Sequence, residues 1–226
     1  MNPPAPPTVT DAPAPWALTG RGYISLLRFP EGHPAQDAFV PPQLAGQRGR
    51  GRQALLMFVD YQQSAVGPYH ELLFIPGGFP FADGRRHLSI SRIFVSSMDS
   101  VVNGRRNWGI PKELAQFDVR YRDGGLDRVR LSQGGTVFAE LDYSRFPLSL
   151  PFTTALVPRV WRTLGQQYEG QTFIYTPSAQ GWVRPGRLRA ARIDPAVFPD
   201  VGAARDLFTV EVPRFAMRFP VANRPT

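Results

Sequence analysis

Glycine and proline recur along this chain more often than long helices allow. The 21 glycines and 24 prolines occupy about one position in five of the 226 residues. Glycine weakens a helix because its backbone is flexible, and proline because it lacks an N–H group and fixes φ. The segments between these residues are too short for an all-α fold. The sequence therefore favours a chain built mainly from strands and turns.

Short apolar runs bounded by turn residues predict the strands. In the clearest hairpin, Val129 and Leu131 alternate with arginines before a Gln-Gly-Gly turn, and Leu141 and Tyr143 alternate with acids after it. Such alternation indicates one buried and one solvated face. Strands are predicted at 23–29, 53–61, 69–75, 87–95, 127–131, 136–143, 172–175 and 208–219. Helices are predicted only at 99–106 and 158–167.

Composition divides the chain into a short arm and one domain. Residues 1–15 are rich in proline and alanine and predict a flexible arm, followed by a single domain over 16–226. The absence of cysteine excludes disulfides, thiolate metal sites and cysteine nucleophiles. No apolar run is long enough for a membrane span, and the start does not resemble a signal peptide. We therefore expect a cytoplasmic location and no membrane partner.

A formal net charge of +8 raises the question of nucleic acid binding. Arginines spaced by glycines over 48–52 are able to contact phosphate, but no aromatic interleaving accompanies them, so a solvated loop is favoured and no specific nucleic acid partner is expected. His33, His70 and His87 are scattered without metal-ligand spacing. Neither a dinucleotide fingerprint nor a phosphate loop occurs, so no metal or cofactor is predicted.

Among the basic residues, Lys112 is the one lysine beside 25 arginines. An Arg-biased composition that happens to leave one lysine in a solvated turn is the simpler interpretation. However, Lys112 directly follows the rigid Pro111, and Trp108, Ile110 and Leu114 surround it with apolar bulk. Burial disfavours the charged form of a lysine, so we expect a lowered pKa and a neutral, nucleophilic amine.

The stretch Gly104 to Ala115, GRRNWGIPKELA, resembles the signature of the acetoacetate decarboxylase-like family, in which the lysine after the proline forms a Schiff base with the substrate ketone. Upstream, the sequence Gly-Pro-Tyr-His-Glu ending at Glu71 resembles the family's G-x-Y-x-E segment, which carries an active-site glutamate. Arg21 lies where family members have an arginine just before the first strand. The resemblance spans about residues 16–219.

This resemblance implies a curved, cone-like antiparallel β-barrel that encloses a pocket, with a few short helices, assembled into a homo-oligomer. It implies that Lys112 and Glu71 are catalytic, with Glu71 contacting the substrate or transferring protons. It also implies that Arg21, Trp108 and Tyr69 bind the substrate. Arg21 would bind the substrate carboxylate at the pocket entrance or steer it inward. No cofactor is implied.

One departure from the family concerns the residue after the lysine. Many family members have a second lysine there, whereas this chain has Glu113. A carboxylate close to the amine raises its pKa, so activation requires desolvation, a Glu113 side chain that points away, or compensation by Arg105 or Arg106. A further acidic residue of the preceding strand is missing, since apolar residues occupy 55–57.

The leading hypothesis from the sequence is a cofactor-free Schiff-base lyase that decarboxylates a small β-keto acid. One alternative keeps the lysine but performs aldol or dehydration chemistry on a larger keto acid. A second alternative is a barrel that binds a small ligand without turnover, and the weakest is a basic nucleic acid binder.

Overall fold

The computed structural model describes residues 9–225. These residues are 52% strand and 12% helical, which confirms a mainly β fold. They form one α-helix, α1, over Met98–Trp108. The strands are β1 Trp16–Arg28, β2 Gln53–Gln63, β3 Tyr69–Ile75, β4 Gly78–Pro80, β5 Arg86–Leu88, β6 Arg92–Val95, β7 Lys112–Leu114, β8 Gln116–Arg120, β9 Asp127–Gln133, β10 Thr136–Arg145, β11 Leu150–Thr153, β12 Leu164–Tyr168, β13 Gln171–Tyr175, β14 Ser178–Ile193 and β15 Arg205–Phe219. Short 3-10 turns are Pro34–Gln36, Pro42–Leu44, Thr154–Leu156, Arg159–Trp161 and Val201–Ala203.

One large sheet dominates the fold and curls into a half-barrel. Its strand order is β7-β6-β3-β2-β1-β15-β14-β10-β9-β8, and β11 pairs with β14 beside this path. A smaller sheet has the order β13-β12-β5-β4. Neighbouring strands are antiparallel except for the pairs β6–β7 and β5–β12. The antiparallel character of the predicted barrel is therefore confirmed.

The curled sheet is apolar on both faces, and each face carries its own core. Along β1, Leu18 belongs to the core that surrounds the cavity described below, whereas Tyr23 and Leu27 belong to the core on the other face. This division follows from the two-residue period of a strand. Residues at even positions of β1 therefore face the cavity, and residues at odd positions face away from it.

Two predicted elements differ from the structure, and one long strand was not predicted. Residues 158–167 were expected to form a helix but contain a 3-10 turn and strand β12, because β12 pairs along its length with β13. The predicted strand 87–95 is two strands, β5 and β6, in different sheets. Strand β14 was not predicted at all, because its glycines and proline are typical of loops and hid its pairing with β10 and β15.

The proline at position 213 does not break β15. Its position coincides with a register shift in the pairing of β15 with β1, between Gly20 and Gly22. At such a bulge one residue is left without a partner, so the missing N–H of proline costs little. Pro213 is thus accommodated inside a strand of 15 residues.

The second half of the predicted flexible arm lies against α1. The backbone N–H of Ala12 donates to Oδ1 of Asn103 at 2.9 Å, and Nδ2 of Asn103 donates to the carbonyl of Thr10 at 2.7 Å. Ala12 is itself buried. Residues 9–15 therefore belong to the folded domain, contrary to the prediction, whereas residues 1–8 lie outside the described residues.

Candidate active site

The two ends of α1 position the segment that carries Lys112. At its start, Oγ of Ser97 accepts a hydrogen bond from the N–H of Ser100 at 3.3 Å. At its end, Gly109 adopts φ of 63°, where a Cβ would lie only 2.5 Å from the Phe173 ring. Glycine therefore both caps the helix and lets it pack against β13. The chain then turns through Pro111 into β7.

The side chain of Lys112 lies across the surface of α1. A Cβ at Gly104 would lie 2.7 Å from Cδ of Lys112 and 2.9 Å from its Cε, so only glycine leaves room for this path. The Arg105 guanidinium donates two hydrogen bonds to the carbonyl oxygen of Lys112, from Nε at 2.9 Å and Nη2 at 2.5 Å. Two residues of the sequence motif are thus explained by the placement of the lysine.

The amine of Lys112 is buried among three polar side chains. Its Nζ lies 2.8 Å from Oε2 of Glu71, 3.0 Å from Oγ of Ser100 and 3.4 Å from the hydroxyl of Tyr69. Tyr69 and Glu71 are two residues apart on β3 and so share one face, and β6 alone separates β3 from β7. The structure therefore brings together Lys112, Glu71 and Tyr69, as the sequence motifs suggested.

The charge state of Lys112 differs from the expectation. Burial on its own lowers the pKa of this amine, but the Glu71 carboxylate and the Tyr69 hydroxyl act in the opposite direction, and the net pKa is raised. For Tyr69, burial raises the pKa, so its phenol is neutral at pH 7. The expected lowering of the lysine pKa by desolvation is therefore wrong, because Lys112 and Glu71 form an ion pair.

A cavity of about 340 Å³ opens in front of the amine. Its walls are mostly aliphatic and aromatic, with Leu55, Met57, Leu73, Ile75 and Ile90 among them. A volume near the low end of ligand-binding pockets suits a small organic molecule. The apolar residues at 55 and 57 occupy the stretch in which the sequence lacked a further acid.

Trp108 also lines this cavity. Its indole Nε1 donates to the carbonyl oxygen of Pro220 at 2.6 Å, and its ring meets those of Trp16 and Phe219 edge-on, each with a centroid distance of 5.1 Å. These contacts fix the indole in one orientation. Trp108 is thus a rigid wall next to the amine, a position compatible with its predicted role in substrate binding.

Arg21, in contrast, is not among the residues that line the cavity. It occupies an odd position of β1, so its side chain leaves the face opposite to that of Leu18. There its Nη2 lies 3.2 Å from Oε1 of Glu211, and its guanidinium stacks on the ring of Tyr121 at 3.7 Å. The structure therefore corrects the prediction that Arg21 binds a substrate carboxylate, because a buried acid already holds it.

Glu113 points away from the amine. Successive residues of β7 alternate between faces, and the Glu113 carboxylate pairs with the guanidinium of Arg92. Its side chain is 40% exposed, whereas that of Lys112 is 5% exposed. Of the explanations that the sequence left open for Glu113, the structure selects the one in which it faces elsewhere.

Ser100 is a residue of the site that the sequence motifs did not indicate. Ser100 is fully buried and lies one helical turn before Gly104, on the same face of α1. Because a helix was predicted over 99–106 and the motif glycine was known, this four-residue spacing was a usable signal for a hydroxyl near the lysine.

Residues 9–225 contain no group of three His, Cys, Asp or Glu side chains placed to share a metal ion. Within the same range, α1 has 11 residues, and no helix has the length and apolar character needed to cross a bilayer.

A β-rich fold with a buried lysine, a paired glutamate and an apolar cavity defines a protein suited to amine chemistry on a carbonyl compound. The family model described as acetoacetate decarboxylase matches residues 5–156, which is more than half of the chain. The chain therefore belongs to the acetoacetate decarboxylase family. No curated protein sequence matches it closely enough to count as a relative.

Several solved structures share the fold of this chain. The acetoacetate decarboxylase of Legionella pneumophila matches with a TM-score of 0.68 at 13% identity, over 100% of this chain and 93% of that one. An acetoacetate decarboxylase-like enzyme of Sphingomonas wittichii matches with a TM-score of 0.68 at 13% identity, over 95% and 94% of the two chains. The enduracididine biosynthesis enzyme MppR, solved with the condensation product of pyruvate and imidazole 4-carboxaldehyde, matches with a TM-score of 0.63 at 15% identity, over 94% and 90%.

Proposed function

We propose that the protein is a Schiff-base lyase in which Lys112 forms an iminium with the ketone of a β-keto acid and carbon dioxide leaves. The observation that carries this proposal is the position of the one lysine, whose Nζ contacts Glu71, Ser100 and Tyr69 at the wall of an apolar cavity. An amine of this kind is the nucleophile that iminium formation requires. Membership of the acetoacetate decarboxylase family supports the same chemistry.

Because the pKa of Lys112 is raised, its amine must lose a proton before it can attack a ketone, and Glu71 is the base in contact with it. The ammonium group is held by the carboxylate at 2.8 Å, so the amine becomes nucleophilic when it passes one proton to Glu71. The amine then attacks the carbonyl carbon, and the proton returns from Glu71 to the carbonyl oxygen to give the carbinolamine. Loss of water leaves a cationic iminium, so the step consumes one ammonium and one ketone and releases one water.

The walls of the cavity favour loss of carbon dioxide from that iminium. The carboxylate of a β-keto acid is attached to the carbon next to the carbonyl, so an iminium at Lys112 would place it in a cavity whose lining is mostly aliphatic. Because apolar surroundings disfavour an anion and accept neutral carbon dioxide, breaking this carbon–carbon bond relieves the cost of burying charge. The electron pair moves to the iminium nitrogen, and the resulting enamine is protonated at carbon and hydrolysed to ketone and lysine.

Covalent trapping tests the amine mechanism directly. With acetoacetate and borohydride, the reduced adduct is expected at Lys112, and the only other primary amine is that of Met1. Peptide mapping by mass spectrometry distinguishes the two positions. An adduct confined to Met1, or none with any ketone, contradicts the proposal.

A second candidate reaction is aldol condensation or dehydration on a larger keto acid. A neighbour in fold, MppR, binds a condensation product of pyruvate and an aldehyde, and the 340 Å³ cavity leaves room for more than acetoacetate. Carbon dioxide release from β-keto acids distinguishes the reactions. Trapping at Lys112 without carbon dioxide from any β-keto acid favours the second candidate.

A further inference from the structure

The charges that line the cavity do not cancel. Three of its lining residues carry a charge: Lys112, Glu71 and Arg162. Lys112 and Glu71 form an ion pair and neutralise each other. Arg162 forms no ion pair with any acid within residues 9–225. The cavity therefore carries one uncompensated positive charge, and it belongs to Arg162.

The position of Arg162 is at the mouth of the cavity. Five residues, Thr154, Arg162, Ser178, Ala179 and Met217, line both the cavity and a shallow open groove on the outer surface. Residues shared in this way mark where the cavity meets solvent. Lys112 is 4% exposed and does not line the groove, so it lies at the inner end.

The backbone orients the Arg162 guanidinium without neutralising it. Nε donates to the carbonyl of Val157 at 3.2 Å, and Nη1 donates to the carbonyl of Pro177 at 3.0 Å. A guanidinium has five N–H donors in a planar fork, so the fork retains donors for a further acceptor. The outer groove adds the exposed Arg218 and contains no acidic residue. An oriented, unpaired guanidinium in a positive mouth is suited to bind a carboxylate.

We propose that Arg162 recognises a carboxylate at the end of the substrate remote from the reacting carbonyl. The substrate class is then an oxo acid whose ketone reaches Lys112 while its far end stays at the mouth, with an apolar chain between them. If the reaction is β-decarboxylation, the substrate is a β-keto acid with this second carboxylate. The inference rests on the proposed amine chemistry for the ketone end, but the anion site can be tested separately.

The first experiment is borohydride trapping at Lys112 with matched pairs of ketones. The charged series is 4-oxopentanoate, 5-oxohexanoate and 6-oxoheptanoate, and the neutral series is 2-pentanone, 2-hexanone and 2-heptanone. For at least one chain length, the wild-type protein is expected to trap the oxo acid faster than the neutral ketone. In Arg162→Gln the ratio of the two trapping rates, oxo acid to neutral ketone, is expected to fall by about tenfold or more, as loss of a charge-assisted hydrogen bond predicts. Arg162→Lys is expected to restore part of it.

The control for trapping is Arg50→Gln, which removes an exposed arginine of a loop and keeps the net-charge change the same. Its ratio is expected to equal that of the wild type. If Arg162 only holds the chain through Val157 and Pro177, its replacement slows trapping of both series equally and leaves the ratio unchanged. An unchanged ratio overturns the inference while leaving the amine chemistry intact.

The second experiment measures binding without a carbonyl. Calorimetry with hexanoate and hexan-1-ol is expected to show tighter binding of the acid to the wild type, and loss of that preference in Arg162→Gln. If no ketone is trapped at Lys112 but this preference is present, the proposed function fails and the anion site stands. If the wild type binds hexanoate and hexan-1-ol equally tightly, the inference is overturned whatever the trapping shows.

Discussion

Two buried glutamates of this protein hold cations in opposite ways. Glu211 is fully buried and faces Arg184, at 2.5 and 2.9 Å, and Arg21, at 3.2 Å. Glu71 is also buried but faces Lys112 and a cavity. A guanidinium keeps its proton at any physiological pH, whereas an amine can lose one. The Glu211 cluster is therefore a fixed charge arrangement, and the Glu71 pair is one that can exchange a proton.

This comparison shows why burial of an ion pair does not by itself mark a reactive site. Both carboxylates are shielded from water, and both accept charge-assisted hydrogen bonds. Only the pair with an ionisable cation and free space beside it can form a covalent bond to a ligand. Four experiments test this distinction.

The largest effect is expected when the lysine beside Glu71 is replaced by arginine, the type of residue that pairs with Glu211. Lys112→Arg keeps a positive charge beside Glu71 but removes the ionisable amine, so borohydride trapping at position 112 and ketone turnover are expected to disappear completely. Circular dichroism is expected to show that the fold persists. Residual turnover at the wild-type rate would mean that Lys112 is not the nucleophile.

The next effect concerns stability, and here Glu211 is expected to matter more than Glu71. Glu211→Gln leaves guanidinium groups without their counter-charge and is expected to lower the free energy of unfolding by about 3 kcal/mol. Glu71→Gln is expected to cost less, because Lys112 can release its proton when its partner is gone. Urea denaturation of both variants at pH 7 makes the comparison, and equal losses would remove the distinction between the two sites.

A smaller effect is expected from crowding the lysine while keeping both charges. Gly104→Ala places a Cβ within 3 Å of the Lys112 side chain and displaces its amine. The trapping rate is expected to fall by about tenfold to a hundredfold, since small misplacements of reacting groups have effects of that size. Val102→Ala, on the exposed face of the same helix, is the matched control and is expected to trap normally.

The smallest effect is expected from Glu113, the acid next to Lys112 in the sequence, and Glu71 provides the comparison. Glu71 raises the pKa of Lys112, so Glu71→Gln is expected to lower it and to move the acid limb of lysine acetylation to lower pH. Glu113→Gln is expected to leave that limb unchanged, because Glu113 pairs with Arg92 on the other face. Acetylation rate against pH, followed at the Lys112 peptide, measures both variants. A shift of equal size in Glu113→Gln would contradict the placement of that side chain.

The sequence predicted the parts of the site that lie within continuous motifs. Lys112, Trp108, Glu71 and Tyr69 belong to two short segments whose residue order identifies them, and all four line the cavity. Arg21 could not be judged in this way, because its partner Glu211 lies 190 residues further along the chain. The role of an arginine such as Arg21 depends on which acid the fold brings next to it.

The same limit applies to the strands and to the pKa of the lysine. Strand β14 depends on pairing with β10 and β15, which no local pattern reveals. The apolar neighbours of Lys112 in sequence correctly indicated burial. The direction of its pKa, however, is set by Glu71 on another strand. Local composition predicted where the amine is shielded, and only the tertiary contact determined its charge.

The order in which the chain is synthesised determines when the Trp108–Pro220 hydrogen bond can form. The large sheet joins an earlier half, from β7 to β1, to a later half through the pairing of β1 with β15. Lys112 leaves the ribosome well before Phe219 and Pro220, which complete the wall around Trp108. Until Lys112 is buried beside Glu71, its amine is solvated and has no neighbouring carboxylate to take its proton. The nascent chain therefore carries a lysine without its proton acceptor, and the Lys112–Glu71 pair exists only in the folded protein.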